Sequence, residues 1–165
     1  MYRPPATLGA RTRMGILFNT LTTEPERRAE LVRDAEKVLD AEVSDKRGLA
    51  GMAVKGTFKV VKNLQPGFVP RAVDDLLNDF VGALEPIWDR WAASDDTSSC
   101  KEYFVANAGD VADALLSITD GRAENTKHKP LKKAYGKLRP MGKEHVIAAM
   151  PRVGALVERH TADLV

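Results

Sequence analysis

Apolar residues recur at helical spacing along most of the chain, and no segment alternates between apolar and polar residues for long enough to predict a strand. The clearest helical segment begins at Pro70, which suits the first turn of a helix, and continues to about Ala93. Its apolar positions follow the three- and four-residue steps of one helical face: Val73, Leu76, Leu77, Phe80, Val81 and Leu84. Repetition of this pattern predicts an all-α fold.

Prolines and glycines separate the helical segments, and they predict a single compact bundle of about six to eight helices over residues 14–165. A chain of 165 residues can bury enough surface to fold without a metal ion or a disulfide. Residues 1–13 have two prolines, three arginines and no apolar face, so we expect a flexible arm there. Met14 offers an alternative start.

Several residues predict where helices begin and end. Thr23 followed by Glu26 has the spacing of a capping box, so we expect Thr23 to be the N-cap of a helix. Pro86 is expected to end or kink the long helix that precedes it. Pro151 is expected to separate or bend two short helices at the end of the chain.

A helix over about 48–63 is rich in small residues, which favour the close approach of another helix. We expect the core to cover its apolar face, which consists of Leu49, Met52, Ala53, Gly56, Val60 and Leu64. Two tryptophans beside Pro86, Trp88 and Trp91, are also assigned to the core.

Charge is nearly balanced over the whole chain but unevenly distributed along it. The net charge is +2, which argues against a protein whose entire surface coats nucleic acid or anionic lipid. Residues 122–143 contain eight bases and one acid, whereas residues 72–100 contain seven acids and one base. A second basic strip repeats along one side of its helix and consists of Lys55, Lys59 and Lys62.

The basic segments supply the candidate binding residues, as contacts to phosphate or carboxylate groups: Lys55, Lys59, Lys62, Lys132, Lys133, Lys137 and Arg139. A protein partner or self-association is the favoured use of such a surface. Salt-dependent binding of RNA or DNA by segments 55–62 and 122–143 is the alternative. A membrane surface is disfavoured, because the apolar side of helix 48–63 is assigned to the core and lacks aromatic residues.

Motifs for catalysis or metal binding do not support an enzyme. His128, His145 and His160 do not fall in a Glu-x-x-His or His-Glu-x-x-His pattern, so we predict no metal and no cofactor. Lys55 precedes Gly56 instead of following it, which excludes a phosphate-binding loop. An unrecognised enzyme remains the second alternative, and no small-molecule ligand is indicated.

Cysteine usage and the absence of an apolar run long enough for export or membrane spanning indicate a cytoplasmic protein. The single cysteine, Cys100, has no partner for an internal disulfide and no nearby histidine in sequence, so we expect an incidental free thiol.

Two stretches resemble an uncharacterised family of small all-helical bacterial proteins. They are AEVSDKRGLAGMAVKGTFKVVKNLQPGFVPRAVDDLLNDFVGALEPIW at 41–88 and ALLSITDGRAE at 114–124. The resemblance extends over about 17–160 and implies a helical fold without assigned catalytic residues. Together with the charge pattern, it leads us to expect a non-enzymatic binding or scaffolding protein that uses a charge-polarised helical surface.

Overall fold

The computed structural model describes residues 15–95 and 97–165. These residues form eight α-helices and no strand: α1 (Ile16–Thr22), α2 (Pro25–Asp45), α3 (Gly48–Lys62), α4 (Phe68–Ala93), α5 (Cys100–Ala106), α6 (Ala108–Asn125), α7 (Lys129–Leu138) and α8 (Gly142–His160). Short 3₁₀ turns follow α7 at Arg139–Met141 and α8 at Ala162–Leu164. The predicted all-α bundle is therefore confirmed, and the arm predicted at 1–13 lies outside the described residues.

The hydrophobic core is built around α4, which packs against α1, α2 and α6. Trp88 and Trp91 are both buried, as predicted, and their ring centroids are 6.1 Å apart. Helices α5 and α8 form the most extensive pair in the bundle, and Phe104 and Met150 are fully buried within the same core. Gly154 allows this pairing, because a Cβ atom there would lie 3.0 Å from the Cα of Lys101.

Neither internal proline ends its helix. Pro86 lies inside α4, and Pro151 lies inside α8, so the two short helices predicted at the end of the chain are one continuous helix. A proline removes one backbone hydrogen bond, but buried side chains hold the helix on its far side. Ile87 and Trp88 are buried immediately after Pro86, and Gly154 and Val157 are buried after Pro151.

The capping box predicted at Thr23 is wrong. Helix α2 has Glu24 as its N-cap, without a side-chain cap, and the Thr23 hydroxyl donates to the carbonyl of Asn19 in α1. A capping box forms at the start of α5. There the Ser99 hydroxyl accepts from the Glu102 N–H at 3.1 Å, and the Ser99 N–H donates to the Glu102 carboxylate at 2.8 Å.

Helix α3 faces the opposite way from the prediction. Leu49, Met52 and Val60, assigned to the core from sequence, are 86%, 71% and 52% exposed. Gly51 explains the orientation, because a Cβ atom at that position would lie 2.6 Å from the carbonyl carbon of Lys46. The residue after α2 thus packs against the Gly51 side of α3, which faces inward with Val54, and the opposite stripe faces solvent.

Candidate functional site

Helices α3 and α7 pack against each other, and this contact brings the two basic segments of the sequence together. The inner side of α7 carries Ala134, which is buried, and Leu131 and Leu138, which are half-buried. Its four lysines are exposed. Neither helix contains an aspartate or glutamate, although together they contain seven lysines.

Six of these lysines make no ion pair with any residue in the described ranges. They define what we term the basic surface: Lys55 and Lys59 on α3, and Lys129, Lys132, Lys133 and Lys137 on α7. The ammonium group of Lys132 lies 3.5 Å from the carbonyl oxygen of Glu124, which is a neutral partner. The positive charge of the basic surface is therefore left without a carboxylate in the described part of the chain.

Two of the predicted binding residues are engaged elsewhere. The Lys62 ammonium pairs with Asp40 at 3.1 Å and lies 5.0 Å from the centre of the Phe58 ring. The Arg139 guanidinium forms a two-pronged contact with Asp120, at 2.7 and 3.1 Å. Hydrogen bonds from Arg139 and then Tyr135 lower the pKa of Asp120, and the same carboxylate raises the pKa of Arg139.

The acidic segment at 72–100 is partly neutralised by other helices. Asp74 pairs with Arg28 at 2.8 Å, and Asp79 pairs with Arg122 at 2.6 Å. The Glu85 carboxylate accepts from the backbone N–H of Leu17. Arg122 thus links the basic and acidic segments, so part of the charge of each segment is neutralised by the other.

An exposed apolar stripe runs along α3 beside the basic surface. It consists of Leu49, Met52, Ala53, Gly56 and Val60, which lie on one helical face and are all exposed. The sequence contains a second set at helical spacing on α3, Gly51, Val54, Phe58 and Val61, and this set faces inward. Because α3 has two apolar faces, the helical periodicity of the sequence could not show which face packs inward.

The buried thiol of Cys100 is not an activated nucleophile. Cys100 lines a cavity of about 150 Å³ with Trp91, Glu158 and Thr161. Burial, with a smaller effect of the Glu158 charge, raises the pKa of this thiol to about 12. The thiol is therefore protonated near neutral pH, whereas nucleophilic attack needs a thiolate.

A second cleft, of about 310 Å³, opens between the start of α2 and the end of α8, and several of the charged groups around it are paired. Arg27 binds Asp163 at 2.6 Å, and His160 lies 2.9 Å from a carboxylate oxygen of Asp34. Burial opposes ionisation of Asp34, but hydrogen bonds from His160 and Lys37 outweigh it and lower its pKa. In the ranges that the structure describes, no group of three or more His, Cys, Asp or Glu residues is placed to hold a metal ion.

None of the helices in the described ranges is both long and apolar enough to cross a bilayer.

Comparison with known proteins identifies a family. No curated protein and no solved structure matches the chain. The family described as Family of unknown function (DUF6918) matches residues 18–161, which include most of every helix described above. The chain therefore belongs to the Family of unknown function (DUF6918).

Proposed function

We propose that the protein is a non-enzymatic binding protein of the cytoplasm, which recognises an anionic partner protein through the basic surface. One observation carries the proposal. Two helices that together hold seven lysines and no acid pack side by side, and six of those lysines have no carboxylate partner in the described ranges. Such a surface attracts carboxylates over a distance and repels cationic partners.

A protein partner agrees better with these contacts than a nucleic acid does. Arginine forks bind phosphate oxygens in pairs, and they are the common choice for nucleic-acid recognition. The arginines of segment 122–143, Arg122 and Arg139, are both held by carboxylates. The groups left for binding are flexible lysines, which suit the scattered carboxylates of a protein surface.

Titration with two polymers tests this proposal. Polyglutamate offers carboxylates and a mixed-sequence single-stranded oligonucleotide offers phosphates, and binding of each is followed by fluorescence anisotropy. We expect polyglutamate to bind, with affinity falling as salt rises from about 0.05 M to about 0.2 M, because screening shortens the reach of the charges. The variant K55Q/K59Q/K133Q should lose most of this binding.

A second triple variant controls for net charge. K37Q/K101Q/K143Q also removes three positive charges, but from exposed lysines outside the basic surface. We expect this variant to retain near-wild-type affinity. Equal losses in the two variants would contradict a localised site. Absence of polyglutamate binding at low salt would also contradict the proposal. Tight oligonucleotide binding that depends on the basic surface would replace the protein partner with nucleic acid.

A further inference from the structure

Exposed apolar residues and unpaired lysines lie side by side on α3. Leu49 and Met52 are the most exposed large apolar side chains in the described ranges. The helical spacing of Lys55 and Lys59 places them along one edge of the apolar stripe. From this juxtaposition we propose that α3 docks an amphipathic helix of a partner protein whose apolar face is flanked by carboxylates. The proposal rests on the proposed function and specifies the partner's chemistry.

The shape of the stripe fits a helix. Its ends carry large side chains, Leu49 and Met52 at one end and Val60 at the other, and its middle carries Ala53 and Gly56. A Cβ atom at Gly56 would meet nothing within 4 Å, so contacts in the described ranges do not require glycine there. Glycine inside a helix lowers stability by up to about 1 kcal/mol relative to alanine. A partner helix crossing at Gly56 would use the space that the missing side chain leaves.

Charge complementarity argues against two occupants of the stripe that this chain itself could supply. Residues 1–14, outside the described residues, contain Arg3, Arg11 and Arg13 and no acid, so their charge does not match the lysines. Pairing α3 with the α3 of a second copy would bring two lysine-rich faces together, and like charges facing each other oppose association. An acidic helix from another protein has neither disadvantage.

The stripe is poorly suited to a membrane surface. Helices that lie in the bilayer interface bury a wide apolar face, usually with aromatic residues. The exposed stripe of α3 has three large apolar side chains and no aromatic residue. Ala53 and Gly56 add little apolar area for insertion, whereas they do allow a helix backbone to approach closely.

A designed peptide tests this inference with the full chain. The probe is a helical peptide of about 20 residues made of leucine, alanine and glutamate, with leucines on one face and glutamates beside them. A scrambled peptide of the same composition is its control. We expect the amphipathic peptide to bind about tenfold or more tightly than the scrambled one, because only the former matches both stripe and lysines.

Variants locate the binding to the stripe. L49Q/M52Q/V60Q should weaken amphipathic-peptide binding to the level of the scrambled peptide while leaving polyglutamate binding unchanged. The matched control V105Q/M141Q/I147Q replaces exposed apolar residues elsewhere and should preserve peptide binding. Circular dichroism checks that each variant is folded. Equal binding of the two peptides, with polyglutamate binding intact, would overturn the docking inference alone. Failure of the wild-type protein to bind either peptide or polyglutamate would overturn the proposed function as well.

Gly56→Leu separates a helix partner from a membrane. The substitution adds apolar area but fills the space where a helix would cross, so we expect weaker peptide binding and no gain on vesicles of phosphatidylcholine and phosphatidylserine. Stronger vesicle binding with unchanged peptide binding would identify the stripe as a membrane contact and overturn the inference. Sedimentation that shows wild type dimerising and L49Q/M52Q/V60Q monomeric would assign the stripe to a second copy, with the same consequence.

Discussion

Two buried tryptophans on successive turns of α4 differ in how their ring nitrogens are satisfied. Trp91 Nε1 donates to the carbonyl of Ser98 at 3.0 Å, whereas Trp88 Nε1 has no hydrogen-bond partner in the described ranges. An unpaired buried donor lowers stability, and removing it relieves that loss. The two side chains therefore contribute differently to the core. The Trp91 indole anchors the loop after α4, and the Trp88 indole contributes packing alone.

Replacing each tryptophan with phenylalanine tests this difference. Both substitutions remove a similar volume, but Trp91→Phe also leaves the Ser98 carbonyl without its donor. We expect Trp91→Phe to lower the free energy of unfolding by about 1 kcal/mol more than Trp88→Phe, measured by urea denaturation. Equal losses, or a larger loss for Trp88→Phe, would contradict the assignment of these two side chains.

His145 makes the stability of the fold depend on pH. Burial, with the nearby charge of Lys46, lowers the pKa of His145 in the folded protein. The unfolded chain takes up this proton near pH 6.5, and the folded protein does so only at lower pH. Stability contributed by the neutral ring is therefore present above about pH 6.5 and falls as the pH drops toward the folded pKa.

His145→Gln should reduce this dependence. We expect thermal unfolding midpoints measured near pH 7 and near pH 5 to differ less in the variant than in wild type, because the variant has no proton to take up at this position. A pH dependence in the variant as steep as in wild type would show that other groups cause it.

The positions of the helices could be predicted from the sequence. The buried face of a helix could be predicted only where a single face was apolar. Helix α4 has a single apolar stripe, so Leu77, Val81 and Leu84 were correctly assigned to the core. Helix α3 has two, and a backbone contact at Gly51 decides between them. The sequence carried the helix through Pro86 to about Ala93 but could not choose between a break and a bend at Pro86 or Pro151, because flanking burial depends on tertiary packing that local propensity does not contain.

A matched pair of glycine substitutions tests the orientation of α3. Gly51→Ala would place a methyl group 2.6 Å from the backbone of Lys46, so we expect a loss of stability of about 1–3 kcal/mol. Gly56→Ala meets no atom within 4 Å, so we expect a gain of about 0.5–1 kcal/mol from helix propensity. Thermal melts followed by circular dichroism measure both. The reverse order would mean that α3 faces the other way.

At the scale of the whole molecule, the sequence identified the basic segments but not which charges the fold leaves unpaired. Arg139 and Lys62 were grouped with the other bases, yet Asp120 and Asp40 hold them, since neighbouring helices bring these carboxylates within reach. Leu49 and the other residues of the exposed stripe were predicted to be buried, because α3 has two apolar faces. What links the remaining lysines is the contact between α3 and α7, which joins segments far apart in the chain.

Cross-linking of the purified monomer with a short amine-reactive reagent, followed by peptide mass spectrometry, tests most directly whether these lysines form one surface. Lys55 or Lys59 should be joined to Lys132, Lys133 or Lys137, because the helices that carry them are packed together. These links should disappear in K55Q/K59Q/K133Q/K137Q. Efficient modification of all these lysines without any link between α3 and α7 would show that the basic surface does not exist.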